Sequence, residues 1–343
     1  MSYEVTIGIP VYESVDYIRR TMESALAQTF QSIEFLILDD CGNDGSISVI
    51  EDYQKSHIRG SNIRILHNEK NCGVGCARNR IIDEAKGKYL FFLDSDDYIE
   101  SNTIQLLFDT LTENQSQIVY GSYDIIDFVH SSSTIQYKKP FLELEGEGEL
   151  AVFAFKYGHV FQVSVCNFLI NVQFLRSTGL RFLSVSFWED MAFTFELVTK
   201  VRKAVLLPNL TYHYVRRPNS LSHYQDRLQF RKSEILKNVS TIDYLKDKCR
   251  EFENRSFISY LCYRLEMNSF YVVCYVLKYT ARINPRISMG ELRDFMWYPI
   301  PFSWILKFRH KMPHNLSLWM ISHMPLWLFE ITVRVLGKLK NVI

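Results

Sequence analysis

The sequence predicts an α/β fold: a mostly parallel sheet flanked by helices, followed by a helical C-terminal region. Three observations carry this. Short apolar runs alternate with segments of helical periodicity over the first 125 residues. Those runs are continuous rather than alternating, as in strands buried on both faces. Beyond Asp226 long helical patterns take over from the strand signals.

Val5 to Pro10 reads as the first strand. Ser14 is placed to cap a helix running to about Gln28, with Ile18, Met22, Ala25 and Leu26 on one face. Phe35 to Leu38 is a second strand ending in Asp39-Asp40, and Ser46 to Lys55 a second helix. Ile63 to Leu66 is a third strand, and Gly73 to Ala85 a third helix with Val74, Ala77, Ile81 and Ala85 on one face. Tyr89 to Leu93 is the fourth strand and Ile118 to Tyr120 the fifth. Ligands bind outside the carboxyl ends of such strands. There this chain has Pro10-Val11-Tyr12, Asp39-Asp40, the Asn68 to Gly73 loop and Asp94 to Asp97. From Ala151 to Ser222 the alternation weakens. Trp188-Glu189-Asp190 opens a helical run, Met191 to Thr199, and a polar loop is expected from His213 to His223. Helices follow over Asp226 to Arg250 and Arg255 to about Arg282. The organisation expected is therefore two halves of one α/β domain, 1–125 and 126–225, and a helical region, 226–343.

Composition is that of an ordinary globular chain: 343 residues, 47% hydrophobic and 22% charged. A net charge of +1 gives no general case for nucleic-acid binding. Seven scattered cysteines fit neither a disulfide framework nor a zinc site. Cys72 and Cys76 are four apart without a second pair, so reduced thiols in a cytosolic protein are expected. Met1 to Val5 has no basic n-region and no apolar h-region, so no signal peptide is expected. Residues 299–343 change character. They hold three Trp and six Lys/Arg against one acid, Glu330. Met312 to Phe329 is uncharged but broken by Pro313 and Pro325, which disfavours a spanning helix. A helix in the interface of an anionic membrane fits this composition; a helical appendage packed on the domain or in a dimer contact is the alternative.

The most informative stretch is Asp94-Ser95-Asp96-Asp97, directly after the apolar run Tyr89 to Leu93. A buried strand that ends in clustered acids brings like charges to one point, which costs several kcal/mol unless a cation sits between them. Hard oxygen ligands suit Mg²⁺ or Mn²⁺, which commonly shares its shell with substrate phosphates. The competing explanation is a solvated turn that opens a helix, with Asp97 or Ser101 as its N-cap.

Taken together, six segments resemble the family 2 glycosyltransferases of GT-A, Rossmann-like fold. They are Ile7 to Tyr12, Asp39 to Ser46, Asn68 to Gly73, Ala77-Arg78-Asn79, the DxD-type motif Asp94 to Asp97, and Glu189-Asp190. Tyr212 to Ser220 is similar to the loop that closes the site in that family. The resemblance covers about residues 4 to 222. It implies an inverting, metal-dependent hexosyltransferase that moves a sugar from a nucleotide-diphosphate donor, by default UDP, to a glycan or lipid-linked glycan acceptor. The setting implied is bacterial cell-surface polysaccharide synthesis, in the cytoplasm at the inner face of the cell membrane, with peripheral contact through the tail.

By the same resemblance Asp96 ligates Mn²⁺ or Mg²⁺, and Asp94 contacts the ribose or the metal shell. Asp97 is an alternative ligand. Asp40 matches the position that accepts a hydrogen bond from the base, since uracil N3 is a donor; otherwise it caps the turn through Asn43 and Gly45. Pro10 and Tyr12 form the other wall, unless Tyr12 is a core aromatic. Arg78 can reach the nucleotide or its phosphates, or pair with Asp94 or Asp40, and Lys70 is a candidate of the same kind. Asp190, near a helix start and beside Trp188, is the base that takes the acceptor's proton. Its alternative is a favourable charge at the helix N-terminus. Glu189 supports it or contacts the acceptor. His213, Arg216 and Arg217 lie on a loop able to fold over the diphosphate, with His213 able to complete the metal shell. A basic surface loop with Tyr212 and Tyr214 buried competes with that reading. Two departures from the family pattern touch the base-binding region: Glu13 in place of Asn, and Cys41-Gly42 in place of Gly-Ser. A second class of reading is a non-catalytic nucleotide-sugar-binding or scaffold protein of this fold. A degenerate copy should lose Asp96 or Asp190, and the chain keeps both.

Overall fold

The computed structural model describes residues 3–127, 134–158, 161, 164–185, 188–216 and 229–343. The strands are β1 (Tyr3–Val11), β2 (Ile33–Asp39), β3 (Ile63–His67), β4 (Gly87–Phe92), β5 (Tyr98–Ile99), β6 (Ile118–Asp127), β7 (Thr134–Tyr137), β8 (Leu142–Glu145), β9 (Phe168–Asn171), β10 (Lys203–Arg216), β11 (Phe230–Arg231) and β12 (Ile283–Asn284). The first helices are α1 (Ile18–Leu26), α2 (Ser46–Ser56), α3 (Val74–Glu84), α4 (Thr103–Glu113), α5 (Glu149–Lys156), α6 (Val172–Ser177) and α7 (Glu189–Lys200). The remainder are α8 (Lys232–Lys248), α9 (Ile258–Lys278), α10 (Met289–Asp294), α11 (Phe302–Ile305), α12 (Met312–Ser322) and α13 (Leu326–Leu339).

The chain divides into two compact units, and the sheet lies in the first: Met1–Leu150, Tyr157–Val185 and Glu189–Ser220. Its order is β3-β2-β1-β4-β9-β6-β10-β5, with β7 on β6 and β8 on β10. β1 to β4 pair in parallel, Val5 standing opposite both Ile33 and Tyr89. The continuous apolar runs give this half its core: Ile7, Ile9, Phe35, Ile37, Phe91 and Phe92 are fully buried. The helical faces read from periodicity also turn inward, with Ile18, Met22, Ala25, Ala77 and Ile81 buried. The expected α/β sheet with flanking helices is therefore present.

Three local expectations need correction. Ser14 does not cap α1 with its side chain; its carbonyl accepts from Tyr17 and Ile18 N–H at 2.9 and 2.8 Å, and the helix begins at Ile18. β6 runs on to Asp127 instead of stopping at Tyr120, because Gly121 and Ser122 break the apolar pattern without breaking the strand. Most consequentially, the segment from His213 to Arg216 is strand and not loop. β10 hides from pattern reading because Pro208 and Asn209 interrupt it; they fall where its register against β6 slips, between Leu206 and Leu210. Residues 217–223 of the expected loop, Arg217 included, lie outside the described residues.

The second unit comprises Ala151–Lys156, Ser186–Trp188 and Leu221–Ile343. α8 and α9 enclose an ion pair, Lys246 Nζ to Glu266 Oε1 at 2.7 Å, with both side chains fully buried. The ammonium also donates to the carbonyls of Phe295 and Trp297, at 3.2 and 2.8 Å. Gly337 on α13 leaves room for Ile343 and for Cys274 of α9; a Cβ there would stand 2.5 Å from Ile343 Cδ1 and 3.1 Å from Cys274 Sγ. Among the described residues no helix is long and apolar enough to cross a membrane.

Candidate active site

The acidic turn leaves the centre of the sheet at the carboxyl end of β4. Helix α1 holds its backbone. Arg20 donates to the Asp96 carbonyl at 3.0 Å, and the Thr21 hydroxyl contacts the carbonyls of Ser95 and Asp97 at 3.0 and 2.7 Å. The carboxylates of Asp94 and Asp97 take different partners from there. Asp97 is wholly buried; its Oδ1 accepts from Val215 N–H at 2.7 Å and its Oδ2 from the Tyr212 hydroxyl at 2.6 Å. Burial, then the charges of Asp96 and Asp94, push its carboxyl well above the ordinary range. Asp97 thus fastens the turn to β10, and its expected role as a metal ligand does not fit that geometry. Asp97→Ala would strand two buried donors and should destabilise the protein by about 3 kcal/mol in urea unfolding; a loss under about 1 kcal/mol would contradict the fastening role.

Asp94 and Asp96 remain partly accessible. Among the described residues no three His, Cys, Asp or Glu side chains gather into a cation cage. A cation that keeps water and phosphate oxygens needs only one or two carboxylates, and this pair of hard oxygen donors fits one.

Asp94 is held from two sides. Arg78 Nη2 reaches its Oδ1 at 2.8 Å, and the Cys166 thiol lies 3.1 Å from its Oδ2. Burial and then the Asp94 charge push the thiol pKa up, so it stays protonated and can donate. Sequence reasoning missed Cys166, because it sits just before β9, a strand without a pattern of its own. The other arm of Arg78, Nη1, meets Glu189 Oε1 at 3.0 Å. Arg78 therefore pairs with carboxylates rather than standing open to phosphates. Desolvation works against its charge, but the Asp94 and Glu189 carboxylates hold its pKa above the usual arginine value. The close approach that allows this depends on Gly75, one turn before Arg78. A Cβ there would lie 2.7 Å from the Leu183 carbonyl oxygen and 3.4 Å from Glu189 Cγ.

Glu189 and Asp190 open α7. Asp190 is half-buried, and its Oδ1 accepts from Met191 N–H at 2.7 Å. Its carboxyl is pushed up to about 7, first by desolvation and next by the Glu189 charge, against the pull of Arg78. A carboxylate of that basicity suits proton abstraction near neutral pH. Trp188, immediately before, is half-buried and takes φ 63°, a left-handed conformation that strains a bulky residue.

The expected base-binding wall is built at the ends of β1 and β2. Asp40 is buried, but it serves another loop than expected. Its Oδ1 accepts from Asn68 Nδ2 at 2.7 Å and from Cys72 N–H at 3.0 Å, and its Oδ2 from Gly73 N–H at 2.8 Å. One lone-pair position on Oδ2 is left for a ligand. The turn that follows is held instead by Asp44, which accepts from Ser46 N–H and hydroxyl at 3.0 and 2.6 Å and from Val15 N–H at 2.8 Å. Pro10 lies in β1 opposite Leu38, and Tyr12 is 43% exposed, so Tyr12 is not a core aromatic. The two departures from the family pattern acquire a backbone meaning. Glu13 and Cys41 have φ 47° and 65°, which Asn and Gly adopt more easily. Lys70 is exposed, without an ion pair or hydrogen bond among the described residues. Cys72 and Cys76 are joined by a disulfide, contrary to the expectation of reduced thiols; the first turn of α3 sets their Cα atoms 5.8 Å apart.

His213 does not reach toward the acidic turn's carboxylates. Its Nδ1 meets Asp124 at 2.7 Å, its Nε2 meets Glu100 at 3.0 Å, and its ring stacks on Tyr98. Both nitrogens are engaged, so it is not placed as a metal ligand. Arg216 is at the end of β10, with Nη1 3.2 Å from Asp127.

Comparison with known proteins bears on the family and the fold. A model described as glycosyl transferase family 2 matches residues 6–177, half of the chain. Glycosyltransferase GlyG of Streptococcus pneumoniae is 32% identical over 123 residues, 36% of this chain and 40% of that protein. A poly(ribitol-phosphate) beta-glucosyltransferase of Bacillus spizizenii is 27% identical over 216 residues, 62% of this chain and 32% of its own length. The matched region thus spans well under two thirds of these relatives. The crystal structure of S. aureus TarS 1-349 in complex with UDP-GlcNAc superposes with a TM-score of 0.66 at 17% identity, covering 93% of this chain and 89% of that one. That likeness is one of fold.

Proposed function

The chain belongs to glycosyl transferase family 2, and we propose that it transfers a sugar from a UDP-linked donor to a hydroxyl of a cell-surface glycan or lipid-linked glycan, with inversion. The observation that carries this reading is the Arg78 bridge. One buried guanidinium joins Asp94, at the strand end expected to meet the donor, to Glu189, next to the candidate base. The TarS complex with UDP-GlcNAc and the glucosyl transfer named for the Bacillus relative support the donor class and the polymer setting.

The reaction is a single displacement. The acceptor oxygen forms a bond to the anomeric carbon while the bond to the diphosphate oxygen breaks, and the diphosphate leaves with the electron pair. Asp190 takes the acceptor's proton as attack proceeds. Glu189 stays paired with Arg78, and its charge keeps Asp190 basic. Asp40 offers its remaining lone pair to the uracil N3–H, with Pro10 and Tyr12 along the base. Asp96, with Asp94, would hold Mn²⁺ or Mg²⁺, which supplies charge neutralisation at the diphosphate. The site of action proposed is the inner face of a membrane.

A thermal-shift screen with UDP-, GDP- and dTDP-sugars, with and without Mn²⁺, tests this. UDP-sugars should raise Tm, more so with Mn²⁺, and Asp96→Asn should remove the metal-dependent part. Stabilisation by none of these donors would overturn the reading, and equal stabilisation without metal would remove Asp96 from it.

A further inference from the structure

We propose that the outward face of α13 docks on an anionic lipid surface, an inference independent of the transferase reading. The helix buries Phe329, Val333 and Gly337 and turns the opposite side to solvent. On that side Trp327, Ile331, Val335 and Leu339 follow at intervals of four residues, 67%, 54%, 51% and 75% exposed. Residues four apart share a helix face, so these four form one apolar ridge. Arg334 and Lys338 are exposed and fall within the same stripe by helical spacing, and Lys340 follows.

Water is a poor partner for such a ridge. Three features say what covers it. First, the charge is one-sided: residues 299–343 carry six Lys/Arg against Glu330, and Glu330 is already paired with Arg334 at 2.9 Å. A second copy packed on this face would bring Arg334 and Lys338 one acid, Glu330, which Arg334 already pairs, whereas phosphate headgroups complement both. Second, Trp and Lys/Arg on one face are the residues that partition to the headgroup level, the bases snorkelling outward while the aliphatic side chains enter the acyl boundary. Third, α13 has 14 residues, roughly 21 Å of helix; it is too short to span a bilayer and suited to lie along one.

The test is co-sedimentation of the full chain with phosphatidylcholine vesicles, with and without phosphatidylglycerol. Binding is expected only with the anionic lipid and should weaken as salt is raised. The double variant Lys338→Glu, Lys340→Glu should lower the partition coefficient by about tenfold or more. Trp327→Ser with Ile331→Ser should lower it as well. All four positions are exposed, so Tm should hold, and Tm is measured alongside. Wild-type protein that stays in the supernatant, or variants that bind like wild type, would overturn the proposal. So would a dimer in analytical ultracentrifugation that Trp327→Ser converts to monomer, because this face would then be a self-contact.

Discussion

Asp190→Asn should bind the donor as the wild type does and transfer sugar about 10³-fold more slowly. The amide keeps the shape of the side chain, and its oxygen can still accept from Met191 N–H. What it loses is the ability to take a proton. The pH profile gives a second, independent readout. With the carboxyl pushed up to about 7, the active, ionised form is the minority below that pH. Wild-type kcat/KM should therefore rise about tenfold per pH unit below pH 6 and level off above pH 8. In the variant the residual rate should lose that limb. A variant that turns over like wild type, or a wild-type profile flat from pH 5 to 8, would take Asp190 out of the chemistry.

Arg78→Met should produce the largest stability loss of any single change at the site. Its side chain is 6% exposed and joins two carboxylates, of which Glu189 is 10% and Asp94 26% exposed. Removing the cation leaves two partly desolvated anions beside one another, a change that costs on the order of 3 kcal/mol or more. The corresponding fall in Tm is roughly 5 °C or more. Arg78→Lys should rescue little, since a single ammonium cannot hold both carboxylates with the spacing of a guanidinium fork. If Arg78→Met melted within 1 °C of wild type, the bridge would not be a structural tie.

Much of this was legible in the sequence, for a physical reason. β1 to β4 are buried on both faces, so their apolar runs are continuous, and each ends at a motif that can be read as a strand end. The helix start at Glu189-Asp190 is legible because a carboxylate pair there is a local signal. The partner of Arg78 was narrowed to Asp94 or Asp40, but Glu189 was not among the candidates, because a separation of 111 residues leaves no trace in spacing. The resemblance offers Asp97 as a metal ligand and the loop reading offers His213; strand β10 ties both elsewhere, Asp97 through Tyr212 and Val215, and His213 by setting it against Asp124 and Glu100. That strand carries Pro208, and β9 is only four residues long, so neither shows the periodicity on which pattern reading depends. Asp40 has the same lesson in smaller form: the sequence offers a base or its own turn as the donor to its carboxylate, but the loop that uses it comes from 28 to 33 residues later.

The turn from Asp94 to Asp97 is fastened by α1 beneath, β10 at one side and Arg78 at the other. On the proposed function, a donor arriving there would find the leaving-group end preorganised, with no affinity lost to ordering that segment. Tyr12, Glu13 and Lys70, at the wall proposed for the base, are exposed. Evolvability would then be partitioned: substrate range could drift through those rim positions while the bond-breaking geometry was inherited unchanged.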